Sequence, residues 1–132
     1  MPPQQYVADG SGEVLLGVEH VFYRIVQREI PTADDFRTMK ELGFPLENEG
    51  HFREWAEGIS VYNSQDYAIR RARATNFLRG QFVVPVCIPA DSGIEFQQTF
   101  SNRRHFTIYT HGERALALVC GAAVSAREHT HD

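Results

Sequence analysis

Polar side chains stand in two segments that are otherwise typical of apolar strands. In HVFYRIV, Arg24 follows Tyr23, and a cation inside an apolar strand is costly unless it is paired, reaches solvent or binds a ligand. In ISVY, the period-two alternation of a strand places Ser60 and Tyr62 on one face and the two aliphatic residues on the other. Each of these polar side chains therefore needs a partner or a ligand if its strand is buried.

A third polar group lies in the later segment IEFQQT, where alternation places Glu95, Gln97 and Thr99 on one face. Glu95 is the carboxylate of this face, and Gln97 is an amide that can form hydrogen bonds but carries no charge. His105, in RRHFTIYT, follows two arginines at the start of another predicted strand. It is a candidate general acid or ribose contact.

Each of these residues also has a structural interpretation. Arg24 can pair with a local carboxylate such as Glu19, Ser60 can be a small residue at a tight sheet position, and Tyr62 can be a half-buried aromatic. His105 can be a surface histidine or one whose hydrogen bonds are satisfied internally. The sequence leaves both interpretations open.

Three arginines in the segment QDYAIRRARA are expected to form the solvated face of a helix: Arg70, Arg71 and Arg73. Ala68, Ile69 and Ala72 supply its buried stripe at helical spacing. A phosphate clamp made by these arginines is the weaker alternative, because the residues nearest the start of the helix are not cationic.

The composition is that of an ordinary globular protein of 132 residues, with 42% hydrophobic and 23% charged residues. We expect a single domain, 1–132, with an ordered core at about 14–126. The net charge of −4 argues against sequence-independent nucleic-acid binding. The chain shows no apolar leader and no apolar run of membrane-spanning length, so a cytoplasmic location without membrane contact is expected.

No zinc-ligand pattern, phosphate loop or nucleophile elbow is recognisable in the sequence, so no metal is expected. The two histidines of the tail EHTHD make only a weak site. Cys87 and Cys120 lie in apolar runs, which favours reduced, buried thiols over a disulfide.

Hydrophobic patterning, capping residues and turn residues predict a strand, a helix, a helical turn, a strand, a helix and then a β-rich half. Thr32 and Asp35 form a capping-box pattern, and Pro85 implies an edge strand or a bulge because it cannot donate to a ladder. The predicted elements are Gly17–Gln27, Ala33–Leu42, His51–Gly58, Ile59–Tyr62, a helix capped by Asn63 or Ser64 that runs to about Leu78, Gln81–Pro89, a hairpin of GIEFQQTF and RRHFTIYT, and a helical turn with a final strand in ERALALVCGAAVS. This order predicts a compact α+β domain with a mixed, split, antiparallel-rich sheet and two to three short helices.

An arginine on the first strand, a serine-aromatic strand that leads into an Ala-rich helix, and a late strand with Glu and Gln resemble the ADP-ribosyltransferase-like fold. The chain is most similar to small, divergent members such as the Arg-Glu-Ser toxin domains that degrade NAD. The resemblance runs from about Val21 to Val124. It implies NAD as substrate and cleavage of the nicotinamide–ribose bond.

The resemblance also implies roles for individual residues. Arg24, beside Tyr23, would bind the phosphate or ribose of NAD, and Ser60 with Tyr62 would order the nicotinamide ribose. Glu95 or Gln97 would take the late-strand catalytic position. Family members that transfer ADP-ribose usually carry the catalytic Glu second in a Gln/Glu-x-Glu pair, whereas the order here is Glu95-x-Gln97.

Beside a nucleotide, the resemblance admits a protein partner such as an antitoxin. An amide at the catalytic position favours a second interpretation, a catalytically inactive binding or interaction protein on the same scaffold. A third interpretation, a structural or oligomerisation domain, would depend on edge strands such as the one that contains Pro85.

Overall fold

The structure, a computed structural model, describes residues 14–15, 17, 19–42, 57–74, 82–99 and 103–126. These residues form seven strands, two α-helices and a short 3-10 helix, which confirms the predicted α+β class. The strands are β1 (Val14–Leu15), β2 (His20–Val26), β3 (Ile59–Tyr62), β4 (Phe82–Ile88), β5 (Glu95–Gln98), β6 (His105–Tyr109) and β7 (Val124–Ser125). The helices are the 3-10 helix Ala33–Phe36, α1 (Gln65–Ala74) and α2 (Gly112–Ala117). The predicted turn at His51–Gly58, except for its last two residues, and the predicted end of α1 near Leu78 lie outside the described residues.

The strands lie in one sheet in the order β1-β5-β6-β3-β2-β4-β7, and every described pair is antiparallel. The prediction of a mixed sheet is therefore wrong for the described strands. The reason is that α1 returns the chain to the end of the sheet at which β3 began. Consequently β3 and β4 run in the same direction and flank β2 on its two sides, each antiparallel to it.

The sheet is nearly divided between β2 and β3, at a boundary that we call the seam. β2 pairs with β4 from His20 to Val26, whereas the described pairing of β2 with β3 is the one position Tyr23–Tyr62. The seam separates a first half-sheet (β2, β4 and β7) from a second half-sheet (β1, β5, β6 and β3).

One face of the sheet forms the main core and is covered by the 3-10 helix and α2. Because paired residues share a face and alternate residues point in opposite directions, aliphatic and aromatic side chains of both half-sheets meet there. Its fully or almost fully buried residues are Phe22, Val26, Phe36, Ile59, Val61, Val84, Val86, Ile88, Ile94, Phe96, Phe106, Ile108 and Ala115. The predicted alternation in ISVY is confirmed, since Ile59 and Val61 face this core.

The other face of the sheet carries α1. Ala68, Ile69 and Ala72 are buried, as the helical spacing predicts, and pack with Val83 and Tyr62. Ser64 caps the helix, because its Oγ accepts a hydrogen bond from the Tyr67 N–H at 3.2 Å.

The α1 arginines differ in their environment. Arg70 and Arg71 are exposed, as predicted. Arg73 is half-buried and donates from Nε to the Ala126 carbonyl oxygen at 2.7 Å, so the prediction of a solvated side chain is wrong at this position. Its place on the helix explains the difference, because Arg73 lies on the side of α1 that faces the end of β7.

The predicted helix Ala33–Leu42 is reduced to the 3-10 helix Ala33–Phe36, because Arg37 is extended, with φ −77° and ψ 147°. The predicted link between Thr32 and Asp35 is present, since the Asp35 carboxylate accepts from the Thr32 N–H at 3.0 Å. A second capping pattern then starts a new turn: Thr38 N–H donates to the Glu41 carboxylate at 2.8 Å, and Glu41 N–H donates to Thr38 Oγ1 at 3.1 Å. Two reciprocal caps in succession give two short turns instead of one helix.

Pro85 lies within the β2–β4 ladder, opposite Tyr23. Its carbonyl accepts from the Cys120 N–H at 3.0 Å, which places the backbone polar groups of Pro85 on the side of β4 away from β2. The missing N–H therefore removes no hydrogen bond from the β2–β4 ladder. The prediction of an edge strand is wrong, because β4 lies between β2 and β7 and also bridges to Val119. Both cysteines are free, but Cys87 is half-buried and Cys120 is exposed, so the prediction of two buried thiols is wrong.

Candidate functional site

The second half-sheet carries a buried group of hydroxyl and imidazole side chains on the face opposite the main core. We call Ser60, Thr99, His105 and Thr107 the polar cluster. Register brings them together, because Ser60 is paired with Thr107 and Tyr62 with His105, while the Thr99 N–H donates to the His105 carbonyl oxygen at 3.0 Å. Thr99, His105 and Thr107 are 0%, 8% and 0% exposed, so their polar atoms depend on internal hydrogen bonds.

Three short contacts connect the polar cluster. Ser60 Oγ lies 2.5 Å from His105 Nε2, and Thr99 Oγ1 lies 2.6 Å from His105 Nδ1. Thr99 Oγ1 also lies 3.1 Å from Thr107 Oγ1. The imidazole is therefore held at both nitrogens, and its ring packs edge-on against Tyr62 at 5.4 Å between centroids.

The geometry of Ser60 and His105 is that of a nucleophile beside a base, with Thr99 orienting the base. The electrostatics oppose this role. Burial, together with the smaller effect of the positive charges of Arg24 and Arg71, lowers the pKa of His105 to about 3. A base with so low a pKa cannot hold a proton near neutral pH, so His105 acts as a neutral hydrogen-bonding group that positions Ser60.

Arg24 lies on the opposite face of β2 from Tyr23, beside the main core, so its side chain starts on the other side of the sheet from Ser60 and Tyr62. Its guanidinium extends into the seam. Nη1 donates to the Ser60 carbonyl oxygen at 2.7 Å and Nε donates to the Asp35 carbonyl oxygen at 3.0 Å. Burial lowers the pKa of Arg24 to about 10, which leaves it cationic.

Ser60 is thus the position at which Arg24 and the polar cluster meet: the arginine binds its backbone and His105 binds its side chain. The expected pairing of Arg24 with a local carboxylate is not found among the described residues. Nη2 of Arg24 has no hydrogen-bond partner within the described part of the chain.

The two predicted tyrosines lie side by side at the seam, on the α1 face. Tyr23 and Tyr62 are register partners, and Tyr62 also contacts the ring of Tyr67 at 5.5 Å. Tyr62 is 7% exposed, so most of its ring serves packing under α1. The structure therefore places Tyr23, Ser60, Tyr62 and His105 on one face and brings in Arg24 from the other.

Glu95 and Gln97 differ sharply in environment although both lie on β5. Gln97 is 7% exposed, is paired with Thr107, and accepts a hydrogen bond at Oε1 from the Tyr109 hydroxyl. Glu95 is exposed and is paired with Tyr109, one alternate position further from the polar cluster. The β5 side chain next to Thr107 is therefore an amide, with β6 between it and Ser60, and the carboxylate lies at the rim.

Gly58 is a residue of this region that the sequence reasoning missed. A Cβ at this position would lie 2.2 Å from Thr107 Cγ2 and 2.9 Å from the Ile108 carbonyl oxygen. Only glycine therefore allows β6 to approach β3 closely enough for His105 to reach Ser60. A glycine directly before a short strand is the signal that was available.

Other features of the described residues lie apart from this region. A groove between the 3-10 helix and α2 contains no member of the polar cluster. Within residues 14–15, 17, 19–42, 57–74, 82–99 and 103–126, no group of three or more His, Cys, Asp or Glu side chains is arranged to hold a metal ion. No helix in the same residues has the length and apolar character needed to cross a membrane.

Comparisons of the chain with protein-family models, with curated proteins and with solved structures returned no match. The functional argument therefore depends on the geometry described above.

Proposed function

We propose that this protein is an ADP-ribosyltransferase-like domain that binds NAD at the seam between the two half-sheets. The observation that carries the proposal is the double hold on Ser60, by Arg24 from one half-sheet and by His105 from the other. A residue fixed at both backbone and side chain, next to an unused guanidinium donor, is preorganised for a polar ligand that spans the seam.

Each predicted residue has a role in this proposal. The free donor of Arg24 binds a diphosphate oxygen, which a guanidinium favours over water because the contact is charge-assisted. Ser60 and Tyr62 order the nicotinamide ribose. If the bond to nicotinamide is cleaved, Glu95 supplies the negative charge near the sugar cation. Because Glu95 is exposed, water screens that charge, and we expect slow hydrolysis rather than fast transfer.

The test measures nicotinamide release from NAD by the purified protein, together with NAD binding by calorimetry. Glu95→Gln should reduce release by at least tenfold while leaving affinity within about twofold, since the carboxylate acts mainly in the transition state. Asp91→Asn, at an exposed turn residue, is the matched control and should change neither quantity. If the wild-type protein neither binds NAD nor releases nicotinamide, the proposal is wrong.

A second candidate function is favoured by one observation, the buried amide of Gln97 bonded to Tyr109. An amide at this place hydrogen-bonds a ribose but supplies no charge, as in a binding protein without catalysis that recognises a nucleotide or a protein partner such as an antitoxin. Gln97→Glu separates the two candidates, because it places a carboxylate beside Thr107, on the far side of β6 from Ser60. Release of nicotinamide that appears only in this variant would identify the natural protein as a binding protein.

A further inference from the structure

The donors and acceptors within the polar cluster can be assigned, because each hydroxyl has one hydrogen to donate and each neutral imidazole has one N–H. Thr99 lies between His105 Nδ1 and Thr107, and Ser60 lies at His105 Nε2. The hydrogens can therefore be arranged in two ways, one for each tautomer of the imidazole.

In the first arrangement the imidazole hydrogen is on Nδ1 and donates to Thr99. Thr99 must then donate to Thr107, and the Thr107 hydroxyl hydrogen needs an acceptor of its own. Thr107 is 0% exposed, and in the part of the chain that the structure describes its hydroxyl contacts only Thr99. This arrangement leaves a buried donor unsatisfied, which is costly.

In the second arrangement the imidazole hydrogen is on Nε2. The Thr107 hydroxyl donates to Thr99, the Thr99 hydroxyl donates to His105 Nδ1, and His105 Nε2–H donates to Ser60 Oγ. Every buried hydrogen has an acceptor. The one hydrogen left over belongs to the Ser60 hydroxyl, which is only half-buried.

We infer that the hydrogen bonds run in one direction, from Thr107 through Thr99 and His105 to Ser60, so that Ser60 donates its own hydrogen to an acceptor oxygen of the ligand. Ser60 is then a specificity-determining donor and not a nucleophile. The low pKa of His105 agrees with this role, because the imidazole stays neutral throughout the physiological range.

The direction of the hydrogen bonds from Thr107 to Ser60 does not depend on the proposed function, whereas the identity of the ligand does. Nη2 of Arg24, whose guanidinium binds the Ser60 carbonyl oxygen, is a second donor that can bind an oxygen acceptor. Two donors side by side suit a phosphate oxygen with its adjoining ribose, as in ADP-ribose, which lacks nicotinamide. They disfavour a ligand that presents only N–H or O–H groups at this point.

The first experiment determines the tautomer of His105 in the unliganded protein by long-range proton–nitrogen NMR on a histidine-labelled sample, with His105→Gln to assign the signal. We expect the proton on Nε2. A proton on Nδ1 overturns the inference whatever the protein binds.

Two matched variants test the direction of the hydrogen bonds. Thr99→Val removes the donor to Nδ1, so the Nδ1 resonance of His105 should move toward that of a nitrogen without a hydrogen bond while Nε2 stays protonated. Thr107→Val removes only a donor to Thr99, so the pattern should remain that of the wild-type protein. Both substitutions keep the side-chain shape, and circular dichroism confirms folding. A change of tautomer in Thr107→Val, or an unshifted Nδ1 resonance in Thr99→Val, contradicts the proposed direction of the hydrogen bonds.

The ligand is tested by calorimetry with ADP-ribose. Ser60→Ala should weaken binding roughly tenfold, the effect of losing one hydrogen bond to a charged or strongly polar group. Equal affinity in the wild-type protein and in Ser60→Ala overturns the donor role of Ser60. If the wild-type protein binds no ADP-ribose, the ligand assignment and the NAD proposal both fail, while the tautomer decides the direction of the chain separately.

Discussion

On the face that carries α1, the two half-sheets bury different chemistry. The first half-sheet presents Val83 and Ile25 to the alanine and isoleucine stripe of the helix. The second half-sheet buries a comparable surface that consists of hydroxyl, imidazole and amide groups, the polar cluster with Gln97. Apolar contacts contribute the stability, because burial of hydrocarbon is strongly favourable whereas a buried hydrogen bond yields little net gain.

From this difference we expect the first half-sheet to contribute stability on this face and the second half-sheet to contribute binding. A polar cluster that stabilises the fold so little is expected to persist for what it binds, and strain or imperfect packing is tolerated at such places. The seam lies where the two tasks meet, and Arg24 connects them through the Ser60 carbonyl oxygen.

The largest effect on the free energy of unfolding should come from the apolar contacts between α1 and the sheet. Ile69→Ala removes a side chain that is 6% exposed beneath α1, and we expect the free energy of unfolding to fall by about 2–4 kcal/mol. Thr107→Val, at an equally buried position of the polar half, should change it by less than about 1 kcal/mol. Urea unfolding followed by circular dichroism measures both. Similar losses in the two variants would remove the distinction between the half-sheets.

The next effect on the free energy of unfolding should come from Gly58, directly before β3 in the second half-sheet. Gly58→Ala places a methyl group against Thr107 and the Ile108 carbonyl oxygen, so β6 must move away from β3. We expect a loss of about 1–3 kcal/mol in the free energy of unfolding and a larger proportional loss of ligand affinity. Glu57→Ala, at the exposed preceding residue, is the control. A fully stable Gly58→Ala variant would show that the strands do not approach as closely as described.

The third effect is the pH dependence of stability. The pKa of His105 is about 3 in the folded protein and rises to an ordinary value of about 6.5 on unfolding. His105 therefore binds a proton in the unfolded state but not in the folded state. As a result, the free energy of unfolding falls as the pH is lowered through 6.5.

Between pH 7 and pH 5 this linkage should remove about 2 kcal/mol from the free energy of unfolding. His105→Gln should lack this part of the pH dependence, whereas His111→Gln, at an exposed residue, should keep it. Denaturant midpoints at the two pH values provide the comparison. Parallel pH profiles for the wild-type protein and His105→Gln would place His105 in a solvated environment.

How much the sequence predicted depended on the range of the interaction. Alternation within ISVY identified the faces of Ser60 and Tyr62 correctly, since the period of a strand is a local property. The position of Arg24 relative to Ser60 was not predictable, because it depends on the register between β2 and β3. The helix at Ala33 was overestimated because a second cap at Thr38 interrupts it.

The hydrogen-bonded chain through His105 could not be predicted for the same reason. Thr99 and Thr107 are ordinary strand residues in the sequence, and only the pairing of β5 with β6 and of β6 with β3 makes them neighbours of one imidazole. Local patterns identified candidate residues, whereas strand register decided which of them meet.

The interleaved order of the sheet has a consequence for biosynthesis. Ser60 and His105 are 45 positions apart, and β4, which pairs with the far side of β2, lies between β3 and β6 in the sequence. Until the chain has been synthesised as far as His105, Ser60 therefore has no imidazole from β6 beside it, whereas β2 and β4 are already available to pair. The candidate site comes into existence only when the late hairpin docks, so an incomplete nascent chain carries none of the binding properties proposed for the finished protein.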